Sequence, residues 1–335
     1  IKLRTLTRET KSATSVLWPL PQLPTKEMRF VDLERYHENP EVIRMSAFNC
    51  NDPAIVGYSV HHSHRFLSVH AHIPGENTTF YQSNPSFHAV WQYMPVDRDE
   101  AVVEIWKHCE NSLLQNTSLV VYLHLLAMRN VNTYMAKRPG KQTSRIFYNT
   151  SSAGIYLLGF ETPSPTPNSQ RPTLPTPPSF SPTLYQEFYY YTSAALDGVT
   201  TVTPSLHQVA GTSVSISLLL HDSNARATSF VGQIRLDSLG CPLEVGASQR
   251  VWLRFLSMRM GGHCVARVAT SLPSDIDAHT LTWLALPYYG IPEWWFLHRQ
   301  CRVHHEGQAS PATSKVPAGQ YQRLLEEQEP GHGAQ

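Results

Sequence analysis

The chain has 335 residues, of which 41% are hydrophobic and 16% are charged, and its 27 basic residues are balanced by 26 acidic ones. This length allows two domains of ordinary size, each with its own hydrophobic core. The balanced charge excludes a chain-wide field that would attract nucleic acid, so the predicted partner is a glycan or another protein.

The first block of the chain predicts short strands. Residues 1–26 are polar and interrupted by proline, and they are predicted to form an N-terminal arm. Residues 27–160 contain runs that alternate apolar and polar side chains between turn-forming residues, which is typical of β-strands. The predicted strands cover residues 54–60, 65–73, 87–94, 101–108, 119–128, 145–148 and 154–160. Strands at this spacing predict a sandwich, prism or barrel.

A proline-rich tract at residues 161–183 separates this block from the next one. Eight prolines lie within these 23 residues, together with many Ser and Thr. Proline has no backbone N–H to donate to a neighbouring strand. The tract is therefore predicted to be an extended linker.

The second block, residues 184–305, repeats the strand pattern. Its predicted strands cover residues 185–192, 213–221, 228–237, 250–257, 263–270, 280–286 and 293–304. Residues 306–335 are polar and broken by Gly and Pro, so they are predicted to be a disordered tail. The fold class is thus all-β, with two β-sandwich-like or β-prism-like units joined by the Pro-rich linker.

Four runs in the first block resemble the strand motifs of jacalin-like β-prism lectin domains. They are residues 55–60 (IVGYSV), 67–72 (LSVHAH), 99–106 (DEAVVEIW) and 154–160 (GIYLLGF). The second block, at residues 231–237 (VGQIRLD), 252–253 (WL) and 293–296 (EWWF), resembles modules of large, uncharacterised proteins of filamentous fungi. The resemblance implies β-prism units and carbohydrate binding. The lectins carry a Gly-x-x-x-Asp sugar loop after the last strand, whereas here Phe160 is followed by Glu161-Thr162-Pro163.

Five histidines lie in or beside one predicted hairpin, at positions 61, 62, 64, 70 and 72. Alternation places His70 and His72 on one face of their strand and the aliphatic residues on the other. Across the hairpin they could meet His62 and His64 and bind zinc or copper. Within the segment no carboxylate or thiolate at suitable spacing completes the ligand set. A solvent-facing polar stripe is therefore the favoured interpretation, and no metal or other cofactor is predicted.

An aromatic cluster near the end of the second block is the candidate ligand site. Flat rings on a loop can stack on sugar C–H faces or anchor a protein interface, and Tyr288, Tyr289 and Trp294 are the candidate residues for this role. Neighbours on a strand point to opposite faces, so one of Trp294 and Trp295 is expected to be core. Trp295 is the expected one, because it shares a face with Leu297. Packing of the cluster in the core or between sheets is the favoured interpretation, and a binding platform is the alternative.

Carboxylates at Asp97, Asp99, Glu100 and Glu104 could supply the acid and base of a glycan hydrolase. A charged turn is the favoured interpretation of them, and no nucleophile elbow or phosphate loop is present. The leading hypothesis is a non-catalytic recognition module that binds a glycan or a protein. The alternatives are a glycan-acting hydrolase and a scaffold with no ligand of its own.

Compartment signals point in two directions. The five cysteines contain no CxxC pair, which favours reduced thiols in a cytosolic protein. Three glycosylation sequons, at Asn77, Asn116 and Asn149, would act only on a secretory route. No leader is visible at Ile1, although one could have been removed. The longest apolar run, residues 119–128, is too short to span a bilayer.

Overall fold

The computed structural model describes residues 3–7, 13–17, 28–32, 42–62, 66–82, 90–96, 102–109, 119–125, 134–137, 144–151, 154–161, 189–209, 212–224, 227–245, 249–257, 262–271, 283–297 and 300–310. Regular structure in these ranges consists of β-strands and two short 3-10 helices, which confirms the all-β class. The chain divides into two compact units, one made of residues 1–77 and 89–176 and the other of residues 78–88 and 177–335.

Twelve strands are described in the first unit. They are β1 (Leu3–Thr7), β2 (Ala13–Leu17), β3 (Arg29–Asp32), β4 (Val42–Cys50), β5 (Gly57–His62), β6 (Phe66–His72), β7 (Val90–Pro95), β8 (Val102–Cys109), β9 (Leu119–Leu125), β10 (Tyr134–Lys137), β11 (Ser144–Asn149) and β12 (Leu157–Phe160). The described strands form a six-stranded sheet in the order β1-β2-β4-β11-β12-β3 and two three-stranded sheets, β10-β8-β9 and β6-β5-β7. The β2–β4 pair is parallel and the other pairs are antiparallel.

Two strands lie within residues 1–26, where the sequence predicted an arm. Strand β1 pairs with β2 in an antiparallel register that places Leu6 opposite Thr14. Strand β2 then pairs with β4, with Val16 beside Ile43. Threonine and valine favour extended backbone, so these runs can form strands without a long apolar stretch. The polar composition therefore concealed ten residues of strand.

The β5–β6 hairpin turns its apolar face towards the core of the first unit. Tyr58 lies opposite Ala71 and Met94 in the register of β6 and β7. The cluster of buried residues here contains Tyr58, Val60, Ile146, Leu158 and Phe160, and Val69, Ala71 and Met94 pack against it. This confirms that the aliphatic residues of the hairpin share one face. The histidines His70 and His72 are consequently on the opposite face.

A buried asparagine closes the connection between β11 and β12. The Nδ2 of Asn149 donates to the carbonyl of Gly154 at 3.0 Å. Its Oδ1 accepts from the backbone N–H groups of Tyr156 and Leu157, at 2.8 Å each. Asn149 is fully buried. One side chain thus satisfies three backbone groups that would otherwise be unpaired in the core.

Eleven strands are described in the second unit. They are β13 (Tyr190–Ser193), β14 (Thr201–Val209), β15 (Thr212–His221), β16 (Ala227–Gly232), β17 (Leu243–Glu244), β18 (Arg250–Ser257), β19 (His263–Ala269), β20 (Trp283–Pro287), β21 (Glu293–Phe296), β22 (Cys301–His305) and β23 (Gln308–Ala309). One sheet has the order β17-β14-β15-β19-β18-β20, with β16 also paired to β15, and the other has the order β13-β21-β22-β23. The 3-10 helices are Thr79–Gln82 and Leu236–Ser238.

Residues 78–88 belong to the second unit, although the sequence placed them in the first. The guanidinium of Arg235 lies 5.4 Å from the ring centre of Tyr81, a cation–π contact. Asp237 holds the same guanidinium by two hydrogen bonds, of 2.9 and 2.6 Å. Tyr81 itself is buried. This anchor could not be predicted, because its partners are more than 150 positions apart.

The start of the predicted tail is ordered into a hairpin. His305 pairs with Gln308 across a two-residue turn at Glu306 and Gly307. Both turn residues have positive φ, of 46° and 78°, as a type I′ turn requires. The prediction of disorder is therefore wrong for residues 306–310. Residues 311–335, and the predicted linker apart from Glu161, lie outside the described residues.

Within the described ranges, no helix is long and apolar enough to cross a bilayer. Cys50, Cys241, Cys264 and Cys301 are free thiols, and all of them except Cys241 are buried. Burial raises the pKa of the Cys264 thiol to about 11, so this thiol is protonated near neutral pH. An activated nucleophile needs the opposite shift.

Candidate functional site

The register of the β5–β6 hairpin separates the histidines that the sequence grouped together. His70 lies opposite Ser59, whereas His62 lies opposite Phe66, at the other end of the hairpin. The register therefore contradicts the alternative in which His62 meets His70 and His72 across the hairpin. His64 and the side chain of His62 lie outside the described residues.

The face that carries His70 and His72 is not a solvent-facing stripe. The side chain of His72 is only 1% exposed, and Ser59, His61 and Tyr93 are also buried. The ring of His61 stacks on that of Trp91, with 4.4 Å between ring centres and 6° between planes. Most of the described side chains on this face are therefore withdrawn from solvent, which corrects the favoured interpretation of the sequence.

A tight turn brings a carboxylate to these histidines. The N–H of Glu76 donates to the carbonyl of Ile73 at 3.4 Å, closing a four-residue turn. Pro74 occupies its second position and Gly75, with φ of 76°, its third, which is the pattern of a type II turn. The chain reverses directly after β6, so Glu76 returns to the face of His70. This carboxylate completes the set that the sequence seemed to lack.

Three side chains thus converge on one point. Oε2 of Glu76 lies 2.9 Å from Nε2 of His70, and Oε1 of Glu76 contacts Nδ1 of His72. The two imidazole rings are 4.9 Å apart, centre to centre, in an edge-on arrangement. One ligand atom from each of the three side chains lies within 4.8 Å of the other two. We refer to His70, His72 and Glu76 as the histidine–glutamate cluster.

His72 forms the buried base of the cluster. Its Nε2 is 2.7 Å from the Oγ of Ser59, on the side of the ring away from Glu76. Burial, reinforced by the neighbouring His70, lowers the pKa of His72 to about 4, although Glu76 acts in the opposite direction. The imidazole is therefore neutral near pH 7. A neutral imidazole has a lone pair that can bind a cation.

The ring of Tyr93 packs beside His72, and it fits there only because residue 57 is a glycine. The rings of Tyr93 and His72 are 5.2 Å apart and nearly perpendicular. The hydroxyl of Tyr93 donates to the carbonyl of Val56 at 3.0 Å. A β-carbon on Gly57 would lie 2.3 Å from Cε2 of Tyr93, far inside van der Waals contact. Gly57 thus leaves the space in which this ring packs.

The predicted aromatic site in the second unit divides into an exposed and a buried part. Tyr289 is 54% exposed and Ile291 is 61% exposed. Both lie in residues 288–292, which we call the aromatic loop. Burial raises the pKa of Tyr288 to about 12, so its hydroxyl keeps its proton. Tyr289 is thus the accessible ring of the two tyrosines.

The backbone of the aromatic loop is held at three points. The N–H of Tyr288 donates to the carbonyl of Gln249 at 3.2 Å, and the carbonyl of Gly290 accepts from the N–H of Leu196 at 3.0 Å. The carbonyl of Tyr289 accepts from Nε2 of His305 at 2.9 Å. Gly290 has a φ of 77°, which favours glycine. The exposed side chains therefore project from a fixed support.

Both tryptophans of the predicted site are buried. Trp294 is 0% exposed and Trp295 is 7% exposed. Strand β21 lies between β13 and β22 in its sheet, and all four of its residues are buried. Alternation assigns one residue to the outside only when one face of the sheet meets water. Trp294 is therefore inaccessible to a ligand. Trp295 is buried as expected, but the expectation that Trp294 faces solvent is wrong.

The carboxylates proposed for hydrolysis fall largely outside the described structure. Asp97, Asp99 and Glu100 are not among the described residues, and only the backbone of Glu104, in β8, is described. A scan against protein-family models and a search of curated proteins find no match to the chain. The resemblance to jacalin-like β-prism domains therefore stays a prediction.

Proposed function

We propose that the protein is a non-catalytic recognition module that binds its partner through the aromatic loop of the second unit. The observation that supports this is the pairing of two exposed apolar side chains, Tyr289 and Ile291, on a rigid support. Exposed tyrosine at a fixed position is a common anchor in recognition surfaces, because it offers contact area at little cost in conformational entropy. The loop needs no rearrangement before binding.

A protein surface is the partner that this loop fits best. Ile291 offers no hydrogen bond, and its exposed aliphatic surface gains free energy only when apolar atoms cover it. A complementary apolar pocket on a protein would cover Ile291 and the ring of Tyr289 together. In an interface of this kind a few anchor residues at the centre supply most of the binding energy, and polar contacts surround them.

A glycan is the second candidate, supported by a carboxylate that borders the aromatic loop. A β-carbon at Gly290 would be 3.3 Å from Oε1 of Glu306, so this carboxylate borders the loop. Sugars combine C–H faces that stack on aromatic rings with hydroxyl groups that donate to carboxylates. Tyr289 and Glu306 together could satisfy both requirements.

The two partners are distinguished by one set of variants. The double variant Tyr289→Ala/Ile291→Ala removes the exposed apolar pair, and Leu206→Ala/Leu256→Ala removes a matched pair of exposed leucines in the same unit. On a glycan array, binding by the parent chain that is lost only in the first variant supports the glycan. A photo-crosslinking residue at position 289 that captures a partner, when the same residue at position 256 does not, supports the protein.

Catalysis would contradict the proposal. Glycans bound by the parent chain are therefore recovered after incubation and analysed by mass spectrometry, and we expect them to be intact. Cleaved products would favour the hydrolase. Equal binding by the two double variants would exclude the aromatic loop as the contact surface.

A further inference from the structure

We propose that the first unit contains a divalent-cation site, of the class that binds zinc, formed by His70, His72 and Glu76. Two imidazole nitrogens and one carboxylate oxygen are a ligand set that zinc and related first-row cations accept. The site is separate from the aromatic loop, so the proposal does not depend on the recognition function.

The separations within the cluster match the size of such a cation. Zinc binds nitrogen and carboxylate oxygen at about 2.0–2.2 Å, and a tetrahedral arrangement then places neighbouring ligand atoms roughly 3.4 Å apart. Oε2 of Glu76 is 2.9 Å from Nε2 of His70, and the ligand atoms all lie within 4.8 Å of one another. Glu76 is partly exposed, so its carboxylate can turn to admit a cation while the imidazoles stay on their strand.

Strand geometry fixes the two imidazoles before any cation arrives. His70 and His72 are two residues apart on β6, so both side chains project from the same face. The Pro74-Gly75 turn then fixes the backbone of Glu76 beside them. Three ligands come from seven consecutive residues on a strand and its following turn. Little chain entropy is therefore lost when the ligands gather around a cation.

Ser59 supplies the outer hydrogen bond that a metal-binding histidine commonly makes. Its Oγ is 2.7 Å from Nε2 of His72, and Nδ1 of the same ring faces Glu76. When Nε2–H donates to Ser59, the Nδ1 lone pair is directed at the carboxylate, and a cation between the two would be bound by both. A hydrogen bond to the other ring nitrogen of a metal-binding histidine fixes its tautomer and the plane of its ring. On binding, the cation displaces to solvent any proton that the imidazoles share with Glu76.

The cluster has an open side. His72 is buried at the base, whereas the side chains of His70 and Glu76 are partly exposed. Three protein ligands leave at least one coordination position for water or for an oxygen of a dissolved ligand. The site thus has the composition of an exchangeable centre rather than a closed structural one.

Zinc binding by the full chain, prepared without a polyhistidine tag and freed of metal by chelation, tests the proposal. We expect one equivalent of Zn²⁺ by calorimetry and by elemental analysis after dialysis. The variants His70→Gln and Glu76→Gln are each expected to weaken binding at least tenfold. Ser59→Ala is expected to weaken it by about 10- to 100-fold, as removal of an outer-shell partner does.

His62→Gln is the matched control, because it removes a histidine of the same hairpin at the end opposite the cluster. Its zinc affinity is expected to equal that of the parent. Affinity that falls with His62→Gln and not with His70→Gln would overturn the proposal, as would less than 0.1 equivalent bound by the parent chain.

X-ray absorption at the zinc edge of the parent chain keeps the proposal testable even if a variant fails to fold. The expected spectrum shows nitrogen or oxygen ligands at about 2.0–2.1 Å with the scattering pattern of two imidazoles. A sulfur ligand at about 2.3 Å would assign the zinc to a cysteine and overturn the proposal.

Discussion

Asn51 and Val102, 51 positions apart in the chain, are joined by two hydrogen bonds between one side chain and one backbone unit. The Nδ2 of Asn51 donates to the carbonyl of Val102 at 3.0 Å, and the Oδ1 accepts from its N–H at 2.8 Å. The amide of Asn51 thus pairs with β8 as a neighbouring strand would. The backbone of Asn51 has a φ of 61°, a conformation that asparagine tolerates better than most residues.

We expect Asn51→Gly to destabilise the chain by about 1–3 kcal/mol, because both backbone groups of Val102 then lose their partner. Glycine retains the positive φ and adds no backbone strain, so the loss comes from the side-chain contacts, including that of Cys50 Sγ with Oδ1, and from the greater freedom of glycine in the unfolded chain. Urea denaturation followed by tryptophan fluorescence measures the change. Asn51→Ala should cost more, because it adds backbone strain. Equal stability of the parent and the Gly variant would show that water replaces the asparagine amide.

Gly57→Ala is expected to destabilise the first unit by about 1–3 kcal/mol through a clash with the ring of Tyr93. The double variant Gly57→Ala/Tyr93→Leu should cost less than the sum of the two single changes, because leucine vacates the position of Cε2. A double-mutant cycle measured by thermal unfolding gives this coupling. Additive losses would mean that the clash is relieved by a backbone shift.

Trp294→Ala and Trp295→Ala should each cost about 3–5 kcal/mol, because both rings are buried. Trp252→Ala, at a partly exposed position of β18, is the comparison and should cost less. Chemical denaturation of the three variants tests this. A Trp294 variant that folds like the parent but loses ligand binding would restore this ring to the recognition surface.

Acid should weaken the second unit through His207. Burial, with Arg235 as the next cause, lowers the pKa of His207 from 6.5 to about 4. Between these values the unfolded chain binds a proton that the folded chain refuses, so stability is lost as the pH falls from 6.5 towards 4. The loss is at most about 3 kcal/mol. His207→Gln should flatten the pH dependence of urea denaturation in this window, and an unchanged slope would contradict the assignment.

The β5–β6 hairpin shows how far the sequence could go. Period-two alternation correctly predicted that Val69 and Ala71 share the face opposite His70, because a single apolar core face imposes that pattern. The same pattern could not predict that the histidine face is buried, since burial by residues distant in sequence leaves no periodic signal. Glu76 could have been found: the Pro74-Gly75 pair is a turn signal directly after a strand. Glu76, the residue after this pair, is the carboxylate that the histidines of the strand lacked.

The tryptophan pair of β21 shows where alternation fails. A strand buried on both faces has no outward position, and its sequence reads as a continuous apolar run. Glu293, the charged residue at the start of this strand, is buried with its neighbours. The hairpin at Glu306 and Gly307 could not be predicted for another reason. The two residues of β23 are too few to show a periodic pattern.

Asn149, which satisfies three backbone groups between β11 and β12, is also the acceptor asparagine of the sequon Asn149-Thr150-Ser151. An oligosaccharide is attached through the same Nδ2 that here donates to Gly154. In the folded chain this nitrogen is buried and a transferase cannot reach it. Glycosylation of Asn149 and closure of the loop are therefore competing events at the same atom. If the chain enters a secretory compartment, the order of the two events decides the outcome: rapid folding protects the asparagine, and an early glycan prevents the loop from closing.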